Sequence, residues 1–427
     1  MGDLAAVLYS HVEALYPICR SITGDGLRAT LRYIGARIPL EMREIPSGSK
    51  VLDWEVPDEW NVRDAAVMTL SDRRVIDFRR HNLHLLQYSE PVDRIIDREE
   101  LDQHLYSLPE QPALIPYRTS YYKRTWGFCL SQRDRLALDE PRYRVLIDTT
   151  LGPGNISYGE CVVPGQRAEE VLFSIHCCHP SLANDNLSGI AAGIELARFV
   201  ASSPRRFTYR FLFIPGTIGA ITWLHFNRDM VHRVRHGLVL SCVGDPAPPS
   251  YKQSRQGNAL IDRYMAALLR EEGHPERVTP FSPYGYDERQ YCSPGFNLPV
   301  GCFMRSRNGT FPEYHTSADN LQFVRPEALA NSLDVLQRLI AMVEQDELWR
   351  STSPWGEPQL GRRGLYDSIA ANERGFDQMA MLWVLNLADG NHRLIDVAER
   401  SGKPFGMLAA AAAALADAGL LVRNSRA

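Results

Sequence analysis

The chain has 427 residues, of which 44% are hydrophobic and 23% charged, and its formal net charge is −4. Because domains average about 100–200 residues, this length predicts two to four units. The lack of a basic excess argues against a nucleic-acid or membrane partner and favours a small or neutral substrate.

The cysteines and the apolar stretches indicate a cytoplasmic protein without a membrane span. The eight cysteines form no CxxC pair, and the N-terminus lacks a basic segment followed by an apolar run. The longest uncharged stretch, 211–226, is shorter than the about 20 apolar residues of a membrane span. Pro215, Gly216 and Gly219 also interrupt it. We therefore expect reduced thiols and no transmembrane segment.

The first 165 residues change from helical to β-type patterning. Apolar residues recur at helical spacing over 4–37, with a turn at 23–26, which predicts two helices. From about 48 to 165, short β-type runs are separated by Pro, Asp and Asn. We interpret 51–165 as an inserted, mainly β domain. Its many aromatic residues are more typical of the core of a small β module than of a ligand surface.

Apolar strands and amphipathic helices alternate through the middle of the chain. The predicted strands and helices are, in chain order, 170–175, 187–201, 207–214, 218–230, 237–243 and 259–272. This alternation is typical of an α/β fold with a doubly wound, mostly parallel sheet covered on both faces. Ligands of such sheets lie at the C-terminal ends of strands, where His176 and Asp245 occur. We therefore predict one discontinuous catalytic domain from 1–50 and 166–350.

The C-terminal segment predicts a winged helix. A helix expected to end near 350 is followed by an apparent linker at 351–358. The elements within 358–427 are predicted as helices at 376–387, 393–401 and 404–419 and a strand at 420–423. The last helix contains no Lys or Arg, which contacts with nucleic-acid phosphates need. We therefore expect this domain to serve packing or dimerisation, which leaves a homo-oligomer open.

A first group of metal-ligand residue types follows the strand at 170–175. His176 ends this strand, and Asp185 lies nine residues later, just before a helix. Zinc sites combine imidazole nitrogen with carboxylate oxygen, and the helix dipole favours a carboxylate at a helix start. We therefore predict both as zinc ligands. His179 is either a fourth metal ligand or a residue that supports one of the ligands. For Cys178 we favour packing in the interior over binding of the metal.

A second group lies in the segment 311–320. His315 occupies a Tyr-His-Thr turn, and Asp319, four residues later, is able to orient it or cap the following helix. Alone this segment is a weak signal, but with the Asn-Asp-Asn segment around Asp185 it becomes a strong one. The predicted metal ligands are His176, Asp185 and His315, with His179 and Asp245 as further candidates.

Together these segments resemble the signature of the zinc aminopeptidase and glutaminyl-cyclase-like superfamily. That signature has a strand-terminal His, an Asn-Asp-Asn-x-Ser-Gly segment, a Glu-Glu pair, a further Asp and a late Tyr-His-Thr. More narrowly, the chain resembles a bacterial aminopeptidase-like family of unknown function with an inserted β domain and a C-terminal winged helix. This resemblance covers nearly the whole chain and rests on the segments 56–62, 115–122, 126–129, 179–189 and 287–295.

The resemblance implies that His176 and His315 are terminal ligands and that Asp185 bridges two metals where two are present. The chain departs from the superfamily at 216–217, which read Gly-Thr where a Glu-Glu pair would supply the general base and a ligand. Ser241 likewise stands where a ligand Asp would be expected. One zinc is therefore expected rather than two, because three protein ligands and an open position suffice for catalysis.

The missing Glu-Glu pair leaves the general base to other carboxylates. A base must come within hydrogen-bond reach of the reacting water, and the candidates are Asp287, Glu288 and Glu313. Glu288 is slightly preferred, and a surface salt bridge is the alternative for each. The same segment contains side chains able to polarise a carbonyl or fix a carboxylate, with loop packing as the alternative: Tyr284, Tyr286, Arg289 and Tyr291.

These residues predict metal-assisted hydrolysis of an amide bond. The simplest form is aminopeptidase-like removal of an aminoacyl group from a peptide or a small peptide-like metabolite. The alternative is a metal-binding protein that lost hydrolysis with the Glu-Glu pair, or one that catalyses acyl transfer.

Overall fold

The computed structural model describes residues 2–365 and 378–424. The helices are α1 Gly2–Leu15, α2 Asp25–Gly35, α3 Arg98–Asp102, α4 Gln132–Leu136, α5 Gly189–Ala201, α6 Ile218–Phe226, α7 Leu260–Glu271, α8 Glu288–Tyr291, α9 Pro326–Gln345, α10 Gln378–Leu387, α11 Leu394–Ser401 and α12 Phe405–Asp417. The strands are β1 Glu41–Pro46, β2 Lys50–Val51, β3 Trp54–Glu55, β4 Glu59–Met68, β5 Arg74–Asp77, β6 Val92–Asp97, β7 Leu105–Tyr106, β8 Phe128–Cys129, β9 Arg142–Gly152, β10 Asn155–Val163, β11 Glu170–His176, β12 Thr208–Ile214, β13 Val234–Leu240, β14 Ser250–Lys252, β15 Val278–Thr279, β16 Val300–Met304, β17 Leu348–Ser351, β18 Asp389–Arg393 and β19 Leu421–Arg423.

The chain divides into two compact units. The first comprises Met1–Gly257 and Thr279–Asp334, and the second Asn258–Val278 and Val335–Ala427. Among the described residues, no helix is long and apolar enough to cross a membrane.

A large mixed sheet forms the centre of the first unit, in the order β1-β10-β12-β11-β13-β16-β14-β15. Strand β11 pairs in parallel with β12 and β13, and β13 pairs in parallel with β16. The flanking pairs β1–β10, β10–β12 and β14–β16 are antiparallel. The α/β fold is thus as predicted, with parallel pairing among the central strands β12, β11, β13 and β16.

The central strands are apolar because helices or loops cover both of their faces. Every residue of β11 is buried, as the near-continuous apolar run predicts for a strand covered on both sides. Helix α5 packs against β11 and β12, and α1 packs on α5. Trp223 of α6 is fully buried in a cluster with residues of β12, β13 and β16. These layers fix the C-terminal ends of the parallel strands at one edge of the sheet.

The inserted β region forms a four-stranded antiparallel sheet in the order β5-β4-β9-β6. Trp60 and Tyr88 stack in its core with ring centroids 5.9 Å apart, whereas Trp54 is 49% exposed. Strand β10 lies within the range predicted for the insertion, but it hydrogen-bonds with β1 and β12 of the large sheet. Its mixed polar sequence reflects its place towards the edge of the large sheet.

The second unit contains the winged-helix elements, with α10, α11 and α12 beside a three-stranded sheet in the order β18-β17-β19. The predicted helix to residue 350 is wrong at its end, because α9 stops at Gln345 and β17 starts at Leu348. The predicted linker at 351–358 therefore begins inside a paired strand. Residues 376 and 377 of the predicted helix 376–387 lie outside the described residues.

Candidate metal centre

His176 and Asp185 meet where β11 ends at the C-terminal edge of the parallel strands. His176 is the last residue of β11, and Asp185 lies in a short helical segment, Ala183–Ser188, that leads into α5. Nε2 of His176 is 2.7 Å from Oδ1 of Asp185, and both side chains are buried. The backbone of Asp185 is not helical (φ −109°, ψ 81°), and the segment turns here before α5 begins.

His315 reaches the same carboxylate from the other side. Its Nε2 is 3.0 Å from Oδ2 of Asp185, and its side chain is 33% exposed. His315 has a positive φ of 55°, and the N–H of Tyr117 donates to its carbonyl oxygen at 2.8 Å. The ring of Tyr314 stacks on the imidazole at a centroid distance of 3.9 Å. These contacts hold the imidazole of His315 against the carboxylate of Asp185, although 130 residues separate His315 from Asp185 in sequence.

His179 adds a third imidazole. Its Nδ1 is 3.7 Å from Oδ1 of Asp185, and that nitrogen is buried with no hydrogen-bond partner among the described residues. Its ring lies 5.1 Å from that of His176 and 5.3 Å from that of His315. Burial lowers the pKa of His179 to about 3, so the ring is neutral. A neutral imidazole with an unpartnered buried nitrogen is suited to bind a metal.

Surrounding polar groups hold the Asp185 segment in place. The carboxylate of Asp319 accepts hydrogen bonds from the N–H groups of Asn184 and Asp185 at 2.5 and 2.9 Å. Nδ2 of Asn186 donates to the carbonyl oxygens of Leu240 and His176 at 2.9 and 3.2 Å. Asp319 thus braces the loop that carries the central carboxylate, rather than orienting His315 directly.

The surroundings of Asp185 favour its ionised form. Burial acts to raise the pKa of this carboxyl, but the hydrogen bonds from the imidazoles of His176 and His315 outweigh it, so its pKa lies well below the usual value. The donor set is therefore an ionised carboxylate with three imidazoles. These donors fit Zn²⁺, which binds imidazole nitrogen and carboxylate oxygen in sites of about four ligands. The residues present are thus chemically suited to zinc.

The ring of Tyr286 lies directly against Gly216. A Cβ atom on Gly216 would lie 2.0 Å from Cε1 and 2.9 Å from the hydroxyl of Tyr286. The Tyr286 ring stacks on His176 at 3.8 Å, and its hydroxyl is 3.5 Å from Nε2 of His179 and 3.7 Å from Sγ of Cys178. A phenol therefore fills space that a side chain at position 216 would need. The sequence offered Tyr286 only as one of several loop aromatics.

The proposed base candidates Asp287 and Glu288 are held in the protein interior. Glu288 is fully buried, forms an ion pair with Nζ of Lys252, and accepts from the N–H of Tyr286. Asp287 is fully buried, and neither of its oxygens has a hydrogen-bond partner among the described residues. Burial raises its pKa well above the usual value. The third candidate, Glu313, is partly exposed and lies two residues before His315.

Asp245 and Ser241 have other partners. Both oxygens of Asp245 are occupied, by Oγ and N–H of Ser306, Nδ2 of Asn184 and the N–H of Ala247. The prediction of Asp245 as a further metal ligand is therefore corrected: its carboxylate instead holds the surrounding loops together through these hydrogen bonds. Ser241 donates to Oδ1 of Asn308 at 3.4 Å.

The two adjacent cysteines near the centre are buried thiols. Burial raises the pKa of Cys178 to about 12 and that of Cys177 well above its usual value, so neither offers a thiolate.

A cavity of about 350 Å³ opens beside the centre. His179, His315 and Tyr286 line one part of it, and Trp54 and Tyr122 of the inserted β region line another. The candidate centre is therefore open to a small molecule.

Comparison with solved structures places this architecture in the zinc aminopeptidase fold class. A zinc aminopeptidase from Bacillus subtilis superposes with a TM-score of 0.56 at 14% identity, covering 79% of this chain and 94% of that chain. At this identity the likeness shows the fold alone. The chain thus has an aminopeptidase-type α/β fold, followed by a C-terminal winged helix-turn-helix that matches residues 347–423.

The chain belongs to the family described as domain of unknown function DUF4910, which matches residues 9–346. A Clostridium acetobutylicum protein described as a candidate polysaccharide biosynthesis protein with an aminopeptidase-like domain is 44% identical over 415 residues, or 97% of this chain and 95% of that protein. A crystal structure of a candidate peptidase from Clostridium acetobutylicum has a TM-score of 0.94 and 42% identity, covering 99% of this chain and 97% of that chain.

Proposed function

We propose that this chain hydrolyses an amide bond at a single zinc ion held by His176, Asp185 and His315. The observation that carries the proposal is the convergence of three imidazoles on the Asp185 carboxylate at the C-terminal edge of the sheet. His179 acts as a further ligand or holds the others in place. The zinc aminopeptidase from Bacillus subtilis, which shares the fold, supports the choice of metal.

When bound, zinc would supply Lewis-acid polarisation of a carbonyl and lower the pKa of water to about 7. Hydrolysis would form a C–O bond to the oxygen of a water molecule and break the C–N bond, with one proton of that water passing to the departing amine. Tyr286 lines the cavity, and desolvation raises the pKa of its phenol well above the usual value, so the hydroxyl stays protonated and can donate a hydrogen bond to the carbonyl oxygen. Tyr117 and Tyr314 pack around His315 and restrict its motion.

The proposed substrate is a small peptide or peptide-like molecule. The cavity volume lies near the lower end of the range for small-molecule sites, about 300–1,000 Å³. An aminopeptidase-like domain in the name of the Clostridium acetobutylicum relative is consistent with such a substrate.

A second candidate function is metal-dependent binding or acyl transfer without hydrolysis. It is favoured by one observation: among the described residues, no Asp or Glu lines the cavity. A general base contributes about 10²–10⁴-fold to such reactions, so its loss would slow hydrolysis strongly.

The test is amine release by the zinc-supplemented full chain from a panel of aminoacyl and N-acyl amides. The proposal expects release that Asp185→Ala abolishes. His232→Ala, which changes an exposed histidine of the same unit, is the matched control and should retain release. Retained zinc with no release from any amide would favour the second candidate.

A further inference from the structure

The cavity beside the candidate metal centre has an unusual charge pattern. Arg289 is its one Lys or Arg, and no Asp or Glu is present among the described residues that line it. Asp287, two residues before Arg289, is fully buried and lies outside the cavity lining. The cavity therefore presents one cation without a matching anion.

The Arg289 guanidinium is available to a ligand. It is partly exposed, and no hydrogen bond or ion pair engages it within residues 2–365 and 378–424. Its neighbour Glu288 cannot neutralise it, because that carboxylate is buried against Lys252. A guanidinium presents a planar fork of donors that matches the two oxygens of a carboxylate.

Aromatic rings supply much of the remaining cavity wall. Trp54 and Tyr122 come from the inserted β region, are 49% and 52% exposed, and lie 5.6 Å apart. Tyr117 and Tyr121 join through their hydroxyls at 3.1 Å. Exposed rings beside a polar site suit a flat or apolar group of a ligand.

We propose that this cavity binds small amides that carry a carboxylate, with the carboxylate on Arg289 and an apolar or ring-shaped body against Trp54 and Tyr122. This inference rests on the proposed function and narrows its substrate class. A substrate with a free ammonium group, as in ordinary aminopeptidase cleavage, would find no carboxylate partner among the described residues that line the cavity. The preferred substrates are therefore acidic amides with a blocked or absent amine.

The test is calorimetric titration of the full chain with three probes. N-benzoylglycine contains a ring, an amide and a carboxylate, N-benzoylglycinamide lacks the charge, and phenylalaninamide carries an ammonium instead. We expect the carboxylate probe to bind at least about tenfold more tightly than either other probe, as for a charge-assisted hydrogen bond. Equal affinities for the three probes would overturn the proposal.

Variants assign the preference to Arg289. Arg289→Met should reduce the affinity ratio of the first two probes to about one, and Arg289→Lys should keep part of it. Arg32→Met alters an exposed arginine of α2 in the same unit and should leave the ratio unchanged. A ratio that survives Arg289→Met would contradict the assignment.

Titrations with and without zinc separate this proposal from the proposed function. An Arg289-dependent preference in the chelator-treated chain supports the cavity assignment even where hydrolysis is absent. A preference that occurs only with zinc and does not depend on Arg289 would place the carboxylate on the metal and refute the assignment.

Discussion

Replacing Gly216 with alanine tests whether the ring of Tyr286 fills the space beside residue 216. The added Cβ would lie 2.0 Å from Cε1 of Tyr286, a distance that requires the ring to move. That ring also stacks on His176, so its movement disturbs the metal centre. Overpacking of this kind costs about 1–3 kcal/mol. At about 2–4 °C per kcal/mol, the melting temperature should fall by about 2–12 °C.

The companion variant is Tyr286→Ala, which removes the ring. In that background Gly216→Ala should cost little, so the two changes should show a coupling of about 1–3 kcal/mol. Gly295→Ala is the matched control, because its added Cβ would meet no atom within 4 Å. Thermal unfolding followed by circular dichroism measures all variants. Additive effects of the two changes, within about 0.5 kcal/mol, would refute the assignment of Tyr286 to this space.

Three further predictions concern the buried groups around the centre. Glu288→Gln should lower the free energy of unfolding by about 3–5 kcal/mol, because it leaves the buried Lys252 ammonium without its carboxylate partner. Urea unfolding measures this loss, and a much smaller loss would show that the ion pair is dispensable. The zinc-free chain should lose stability as pH falls from about 6.5 towards 3, because the folded pKa of His179 is lowered to about 3 and the unfolded state binds the proton first. His179→Gln should weaken this dependence in melting curves, and an unchanged curve would contradict the reasoning. Cys177 and Cys178 should resist alkylation by iodoacetamide until the chain unfolds, since both are buried thiols, and rapid labelling of the folded chain would disprove this.

The sequence predicts the central sheet well because burial dictates its composition. Strand β11 is buried along its whole length, which favours a nearly continuous apolar run that is visible in the sequence. Strands β1 and β18 were not predicted, because each is polar and largely exposed or partly exposed along its length. For such strands the pairing partner, rather than local patterning, decides the structure.

The candidate ligands were predictable because their spacing follows from local structure. His176 ends a strand and Asp185 precedes a helix, and both positions can be recognised within one segment. The contacts of Tyr286 with Gly216 and of Glu288 with Lys252 could not be predicted in this way. They join segments distant in sequence, and only the folded chain brings them together.

The zinc content of the chain purified without chelator, measured by inductively coupled plasma mass spectrometry, tests the proposed metal centre directly. We expect about one zinc per chain, lost in Asp185→Ala and kept in His232→Ala. A folded wild-type chain without stoichiometric zinc, or equal zinc in the Asp185→Ala variant, would contradict the proposed metal centre.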